Sequence, residues 1–417
     1  MIFNPKELPP SHELNDPVSR RRFLQFASAA ALSGVLGACH RQDQSENFIT
    51  LPPGQTVARF PEKTELILLT DRPPQLETPL HYFREDLTPN DAFFVRWHYE
   101  GIPTFIDLRQ FKLEVGGHVN KPLTLSLTDL KKQFEPATVV AVNQCSGNSR
   151  SSFQPRVPGG QWRNGAMGNA RWTGIRLKDL LQAAGIKGGA VEVSFAGLDE
   201  APLFNMHKFV KALSIDHAMS DEVLVAYEMN EKPLPMLNGF PLRLVVPGWY
   251  ATYWVKSLKS IQVLPQQFQG FWMDKAYRIP KNEDAVETPE NLAKDTVPIN
   301  KMNVRSLIVS PDVNEVVRVG KPCEVQGIAF DSGSGIKKVE VSTDEGKTWQ
   351  TAQLDSDKLG NFSFRRFRIS WTPPGPGTHA LMSRAYSNDG KFQRSFDQWN
   401  KSGYMRNVIE RWEVAVI

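Results

Sequence analysis

The chain has 417 residues, with 49 Lys and Arg against 45 Asp and Glu, for a net charge of +4. Hydrophobic residues make up 41% and charged residues 23%, which excludes a disordered or fibrous protein and leaves length for two or three domains with proper cores. The mild positive charge is not gathered in blocks, so no nucleic-acid partner is indicated, although small anionic substrates are compatible with it. Cys39, Cys145 and Cys323 have no metal-site spacing, and no Cys-x-x-Cys-His occurs, so covalent c-type haem is excluded from this chain.

In chain order, Ser19-Arg20-Arg21-Arg22-Phe23-Leu24-Gln25 resembles the twin-arginine export signal. The segment after it, residues 26–38, is too short and too rich in small residues for a stable membrane span. The resemblance implies export to the periplasm of a protein already folded around a cofactor. Leu36-Gly37-Ala38-Cys39 looks like a lipoprotein cleavage box. Lipidation of Cys39 and simple cleavage nearby both stay open. With Cys39 in this region, a disulfide framework is implausible. From His40 to about Thr64 the chain is polar and proline-bearing, a tether or an arm laid over the surface.

The body opens with Asp91–His98, an aromatic run that reads as a strand and puts Arg96 and His98 on one face. Phe111–Gly117 reads as a strand and turn, and Leu127–Lys131 as a helix start with Thr128 as its cap. Ala137–Ala141 is an apolar run expected to form a short buried strand, and the small polar residues after Cys145 cannot continue it. Cys145 is therefore expected at a strand end, where a thiolate suits a soft metal. Arg150, five residues on, favours a deprotonated sulfur or an anionic ligand. The plainer reading of Cys145 alone is a buried strand-end cysteine.

The spacing of Leu177, Leu180 and Leu181 predicts a helix, and Val191–Asp199 is an alternating strand ending in a carboxylate. By itself Asp199 reads as a turn former. Arg243 interrupts the apolar strand around Leu242–Val246, where an unpaired charge is costly, so it needs an anionic partner: a structural carboxylate or a bound anion. After a proline-containing linker at residues 296–299 come short alternating strands such as Cys323–Phe330 and Val339–Thr343, with turn signals at Asp344-Glu345-Gly346 and Asp389-Gly390. These suggest an immunoglobulin-like sandwich, with Cys323 as a buried core thiol.

Cys145-Ser146-Gly147-Asn148-x-Arg150 after an apolar strand resembles the molybdenum-ligating loop of the sulfite oxidase family. Phe93-Phe94-Val95-Arg96-Trp97-His98 is similar to the family's Phe-Phe-x-Arg-x-His segment, whose arginine points into the substrate pocket and whose histidine touches the pterin. Asn238-Gly239-Phe240-Pro241-Leu242-Arg243 and Trp254-Val255-Lys256 resemble its pterin-contacting segments, with Asn238 standing where animal members carry histidine. The pocket tyrosine of plant and animal members lies in Asp-Tyr-Lys, where this chain has Gln267-Phe268-Gln269. Lys275-Ala276-Tyr277-Arg278 instead resembles the run of bacterial sulfite dehydrogenases and assigns the phenol to Tyr277. In the C-terminal part, Val341–Trp349 resembles the family's dimerisation domain.

From about residue 80 to the end these motifs follow in the family's order, and the chain is identified as a member of it, nearest to the bacterial periplasmic sulfite dehydrogenases. The resemblance implies an export signal and tether (1–45), an α+β sulfite-oxidase-type molybdopterin domain (46–300) and an all-β immunoglobulin-like dimerisation domain (301–417). It implies a molybdenum–molybdopterin cofactor, with Cys145 as the metal ligand. It gives catalytic roles to Arg96, Arg150 and Tyr277, and turns Phe94, Val95, Arg96, Trp97, His98, Asp199, Asn238, Arg243, Trp254, Val255 and Lys256 toward the cofactor. The implied reaction is oxidation of sulfite to sulfate, with one-electron transfer to an external acceptor such as a c-type cytochrome and a homodimer or heterodimer built through the C-terminal domain. Three rivals stand beside it: a periplasmic sulfoxide reductase, a sulfane-sulfur dehydrogenase subunit, and a non-enzymatic exported binding protein. The C-terminal sandwich argues against the first.

Overall fold

Runs of alternating and β-branched apolar residues make most of this chain strand, and the strands are arranged to carry one loop into the interior. The structure, a computed structural model, describes residues 56–312, 315–356 and 358–417. The expected export signal and the Cys39 box lie outside the described residues. The first strands, Thr56–Arg59, Glu65–Thr70, Gln75–Glu77 and Val95–Arg96, form an antiparallel meander. A five-stranded sheet runs in the order Val210–Ser214, Glu192–Gly197, Leu258–Leu264, Leu113–Gly117 and Leu123–Leu125, with only the Leu258–Leu264 and Leu113–Gly117 pair parallel.

The site is delivered by another sheet, in which Lys232–Pro233, Leu224–Met229, Met167–Arg176 and Pro136–Gln144 lie side by side and Arg243–Val245 adds to Leu224–Met229. Pro136–Gln144 keeps register with Met167–Arg176 along its whole length, from Pro136 opposite Ile175 to Gln144 opposite Met167. Its first residues are partly exposed, whereas Val140 to Gln144 are all buried. Burial of five consecutive residues means that both faces of this half of the strand are covered. The strand ends as expected, immediately before Cys145. There a turn closes through Asn148 N–H to Cys145 O (3.0 Å) and Arg150 N–H to Gly147 O (3.0 Å), with Ser149 left-handed at φ 68°.

Two expectations about local structure are corrected. The helix Leu127–Gln133 is capped by Ser126, not Thr128. Ser126 Oγ accepts from Asp129 N–H while the Asp129 carboxylate accepts from Ser126 N–H, a reciprocal box that Thr128, already inside the helix, cannot make. Of the predicted strand Asp91–His98, only Val95–Arg96 is paired, opposite Leu76 and Gln75. A turn closed by Ala92 N–H to Pro89 O precedes it, and bends follow from His98. The helix Leu177–Ala184 forms where Leu177, Leu180 and Leu181 predict it, buries those three with Ala184, and stops at Gly185 with φ 69°.

The C-terminal part is all β. Arg305–Ser310, Cys323–Phe330, Arg365–Trp371 and Gln353–Leu354 form one four-stranded antiparallel sheet. Gln350–Thr351, Ile336–Ser342, Gly377–Ser387 and Arg411–Val416 form the other, and a separate core of Val325, Val339, Val341, Phe367, Leu381 and Val414 fills the space between. Cys323 is not the buried core thiol expected. It is half-buried at a strand end and only packs against that core. The described residues nevertheless cluster as one compact unit, because Leu307, Val309, Ile328, Phe330 and Phe364 belong to the larger core of the preceding part.

Candidate active site

Cys145, a free thiol 8% exposed, opens onto a partly enclosed cavity. Its walls come from separate segments: Phe94, Arg96, Trp97 and His98 from the meander, Asn143 and Ser146 beside the cysteine, and Asp199 from beyond Glu192–Gly197. Asn238, Arg243, Thr252, Trp254, Lys256 and Tyr277 close the remainder. Arg96 and His98 both reach the cavity as expected, but not by alternation alone: Trp97 between them lines it too, and the strand ends at Arg96.

The cavity is rich in buried positive charge. Arg243 is 4% exposed and lies over the rings of Trp172 and Trp254, 5.2 and 5.7 Å from their centroids. It donates from Nη1 to Asn238 O and from Nη2 to Asn143 Oδ1, both at 3.1 Å, and burial pulls its pKa down to about 9. No carboxylate pairs with it among the described residues. Lys256 donates to Arg96 O (2.7 Å) and lies 4.3 Å from the Trp97 ring centroid. Burial, helped by Arg243 and opposed by Asp199, lowers its pKa to about 7. Burial raises Asp199. His98 is held well below its ordinary range, by burial first and then by Arg96, Lys256 and Lys211. Its Nε2 is 2.6 Å from the Tyr277 hydroxyl, and its ring stacks on Phe209 at 3.8 Å. A neutral imidazole can accept at Nε2, which leaves the phenol as donor.

Three of the implied site residues are placed differently from the rest. Val95 packs in a small cluster with Leu66, Leu76 and Trp97, and Val255 in the large core; neither side chain lines the cavity. Arg150 does not line it either. Its Nε and Nη2 donate to Ser402 O (3.3 and 3.1 Å) and its Nη1 to Gly160 O (3.2 Å), so three of its five N–H donors are engaged by backbone. The loop is packed so tightly around this guanidinium that a Cβ at Gly147 would lie 2.5 Å from its Cζ. One at Gly159 would lie 2.8 Å from Nη1, and one at Gly403 2.9 Å from Nε. Arg150 therefore ties the cysteine loop to the C-terminal segment. Tyr277 does reach the cavity, with its backbone left-handed at φ 57° and its ring parallel to that of Tyr404, centroids 5.5 Å apart.

Several supporting residues carry no motif. Arg305, 1% exposed, donates from Nη2 to Ser149 Oγ (2.5 Å), Asn164 Oδ1 (2.9 Å) and Glu410 Oε1 (2.7 Å), which ties the first strand of the C-terminal part to the cysteine loop. Met405 N–H donates to Ser146 O at 3.3 Å. Lys63 is buried and donates to Asn90 O (2.6 Å), Phe93 O (3.1 Å) and Asn238 Oδ1. The Asn238 amide also donates to Phe94 O at 3.1 Å, so this side chain braces the wall as well as lining it. Buried lysines and arginines at such distances along the chain look like solvent-facing residues in a sequence.

The residues present fit a molybdopterin cofactor. Arg96 Nη1, Asn143 Nδ2, Ser146 Oγ, Arg243 Nε and Thr252 Oγ1 are buried around the cavity without hydrogen-bond partners, and such orphaned groups call for a polar, anionic occupant. No group of three or more His, Cys, Asp or Glu side chains that could hold a metal occurs among the described residues. A metal at Cys145 must then bring most of its ligands with it, as a metal on a dithiolene does.

Comparison with known proteins agrees with this donor set. Residues 99–272 match the family model described as the oxidoreductase molybdopterin binding domain, and residues 296–417 match the Mo-co oxidoreductase dimerisation domain. The chain is 36% identical to the mitochondrial sulfite oxidase of Homo sapiens over 367 residues, covering 83% of this chain and 65% of that protein. It is 33% identical to the sulfite oxidase of Arabidopsis thaliana, covering 64% of this chain and 70% of that protein. It thus spans about 65% of the length of the first mammalian relatives. The fold resembles the crystal structure of the sulfane dehydrogenase SoxCD from Paracoccus pantotrophus, with a TM-score of 0.72 at 24% identity over 97% of each chain.

Proposed function

The chain belongs to the sulfite oxidase family of molybdopterin oxidoreductases, and from that membership we propose that it oxidises sulfite to sulfate and passes the electrons singly to an external acceptor. The observation that carries this reading is the strand-end Cys145 opening onto a cavity whose buried donors lack partners. The cofactor is held by Cys145 sulfur, with Arg243, Asn143, Ser146 and Lys256 toward its polar and anionic parts. When bound, it supplies oxygen-atom transfer and the two-electron redox change.

Sulfite and one water become sulfate, two protons and two electrons. The chain's own residues bind and orient the anion. Arg96, with a free buried Nη1, holds the substrate oxygens through a charge-assisted hydrogen bond. The Tyr277 hydroxyl donates toward the same oxygens or toward His98 Nε2, where the neutral imidazole accepts the bond and orients the phenol. The aromatic walls Phe94, Trp97, Phe209 and Trp254 exclude water, which strengthens each of these contacts.

We further read the protein as periplasmic, with a c-type cytochrome as acceptor and a C-terminal sandwich, immunoglobulin-like, through which it dimerises. The export-signal motif and the dimerisation-domain match support those readings. The test is sulfite-dependent reduction of cytochrome c by the molybdenum-loaded protein, with Cys145→Ser as control. Turnover that disappears in the control is expected. A fully loaded protein that leaves cytochrome c oxidised would sink the proposal and turn attention to sulfane sulfur or sulfoxides.

A further inference from the structure

Lys211 lies in the edge strand Val210–Ser214 and is 0% exposed, yet it faces no carboxylate among the described residues. Its Nζ donates to Trp272 O at 2.7 Å and lies 4.6 and 5.2 Å from the ring centroids of Tyr253 and Tyr277. Burying a lone ammonium is costly, and methionine would fill the same space without that cost. What the ammonium adds must therefore lie in what it touches.

All of its partners bear on one segment. Trp272 lies in the short helix Phe271–Asp274 and Tyr277 at the end of the turn that follows it, and Lys211 bridges them. Tyr253 is joined to the same place: its hydroxyl donates to Ile299 O (2.6 Å), and Ile299 N–H donates to Tyr277 O (2.8 Å). Trp272 in turn packs edge-on against His98, 4.7 Å between centroids. Tyr277 occupies a left-handed backbone conformation that a side-chain-bearing residue adopts only when its surroundings impose it.

We propose that Lys211 is a positioning residue for the reaction: its ammonium, set between the faces of Tyr253 and Tyr277 and anchored on the Trp272 carbonyl, fixes the direction in which the Tyr277 phenol enters the cavity. The inference rests on the reading of Tyr277 as the phenol that meets the substrate anion. Burial, with Arg278 nearby, lowers the Lys211 pKa to about 7, which is the cost of keeping a cation there.

The test uses the full, molybdenum-loaded chain in four forms: Lys211→Met, Lys211→Arg, Tyr277→Phe and the Lys211→Met/Tyr277→Phe pair. Lys211→Met is expected to lower kcat/KM for sulfite about tenfold, with the same division between KM and kcat as Tyr277→Phe. The double variant should be no worse than Tyr277→Phe alone, and Lys211→Arg should recover most of the loss. A second readout does not depend on turnover. In 3-fluorotyrosine-labelled protein, the ¹⁹F resonance lost in Tyr277→Phe should move in Lys211→Met and return toward its place in Lys211→Arg. Additive kinetic losses with an unmoved resonance would overturn the proposal. If even the wild type fails to oxidise sulfite, the functional reading falls, while the resonance still decides the role of Lys211. Should Lys211→Met fail to fold, Lys211→Gln takes its place in each comparison.

Discussion

His98 shows how a single side chain reports its surroundings. Burial, and then the charges of Arg96, Lys256 and Lys211, keep it neutral in the folded protein, whereas in the unfolded chain it gains a proton near the ordinary value of 6.5. Below that pH the unfolded state binds the extra proton, so folding stability must fall as the solution is acidified. Above it, both states are neutral and His98 contributes no slope. The expected loss is at most about 1.4 kcal/mol per pH unit for one proton. Denaturant titrations of the cofactor-free protein between neutral and acid pH, compared with His98→Gln, check this. The variant's stability should fall less steeply by one proton, and equal slopes would mean that His98 is charged when folded. Groups such as His81 and His217, also depressed by burial, remain in both proteins and cancel in the comparison.

The strand Pro136–Gln144 and the loop after it were legible in the sequence because an apolar run ending in Cys-Ser-Gly-Asn states both the element and its stop. The helix Leu177–Ala184 was legible from its leucine spacing for the same reason. The contacts that hold the loop in place were not. Arg305 meets Ser149 across 156 positions and Lys63 meets Asn238 across 175, and neither residue stands in a pattern that marks it as buried. Arg150 could be read as near Cys145, but that its donors would be taken by the Ser402 and Gly160 carbonyls depends on how the C-terminal segment folds back. Arg305→Met tests this brace. It leaves Ser149, Asn164 and Glu410 without a shared donor and should cost on the order of 3 kcal/mol. Molybdenum content should fall in parallel because the cysteine loop loses its support. Unchanged melting and full metal occupancy would show that the loop holds itself.

Taken entire, the described chain has two large cores and one small cluster but not two independent bodies. Leu307, Val309, Ile328, Phe330 and Phe364 complete the core of the part that holds the cavity, and Arg84 adds a bond from its Nε to Val309 O at 3.2 Å. Separating the parts would expose these apolar side chains to water. The two should therefore melt together. Calorimetry of the protein is expected to show one transition whose calorimetric and van't Hoff enthalpies agree. Two resolved peaks would mean that the shared core contributes little.

The three glycines around Arg150 have a consequence for which substitutions tolerate one another. Gly147 is not left-handed, and the three atoms nearest to where its Cβ would be all belong to the guanidinium. Gly159 and Gly403 are left-handed as well as crowded, at φ 109° and 61°. An alanine at 147 is thus harmful only while arginine occupies 150, and a shorter residue at 150 makes it acceptable. At 159 and 403 no change at 150 gives the same release, because the backbone itself disfavours a side chain there. One arginine thereby makes the fitness of its neighbours conditional at one position and fixed at two, a difference in epistasis between residues that look alike in the sequence.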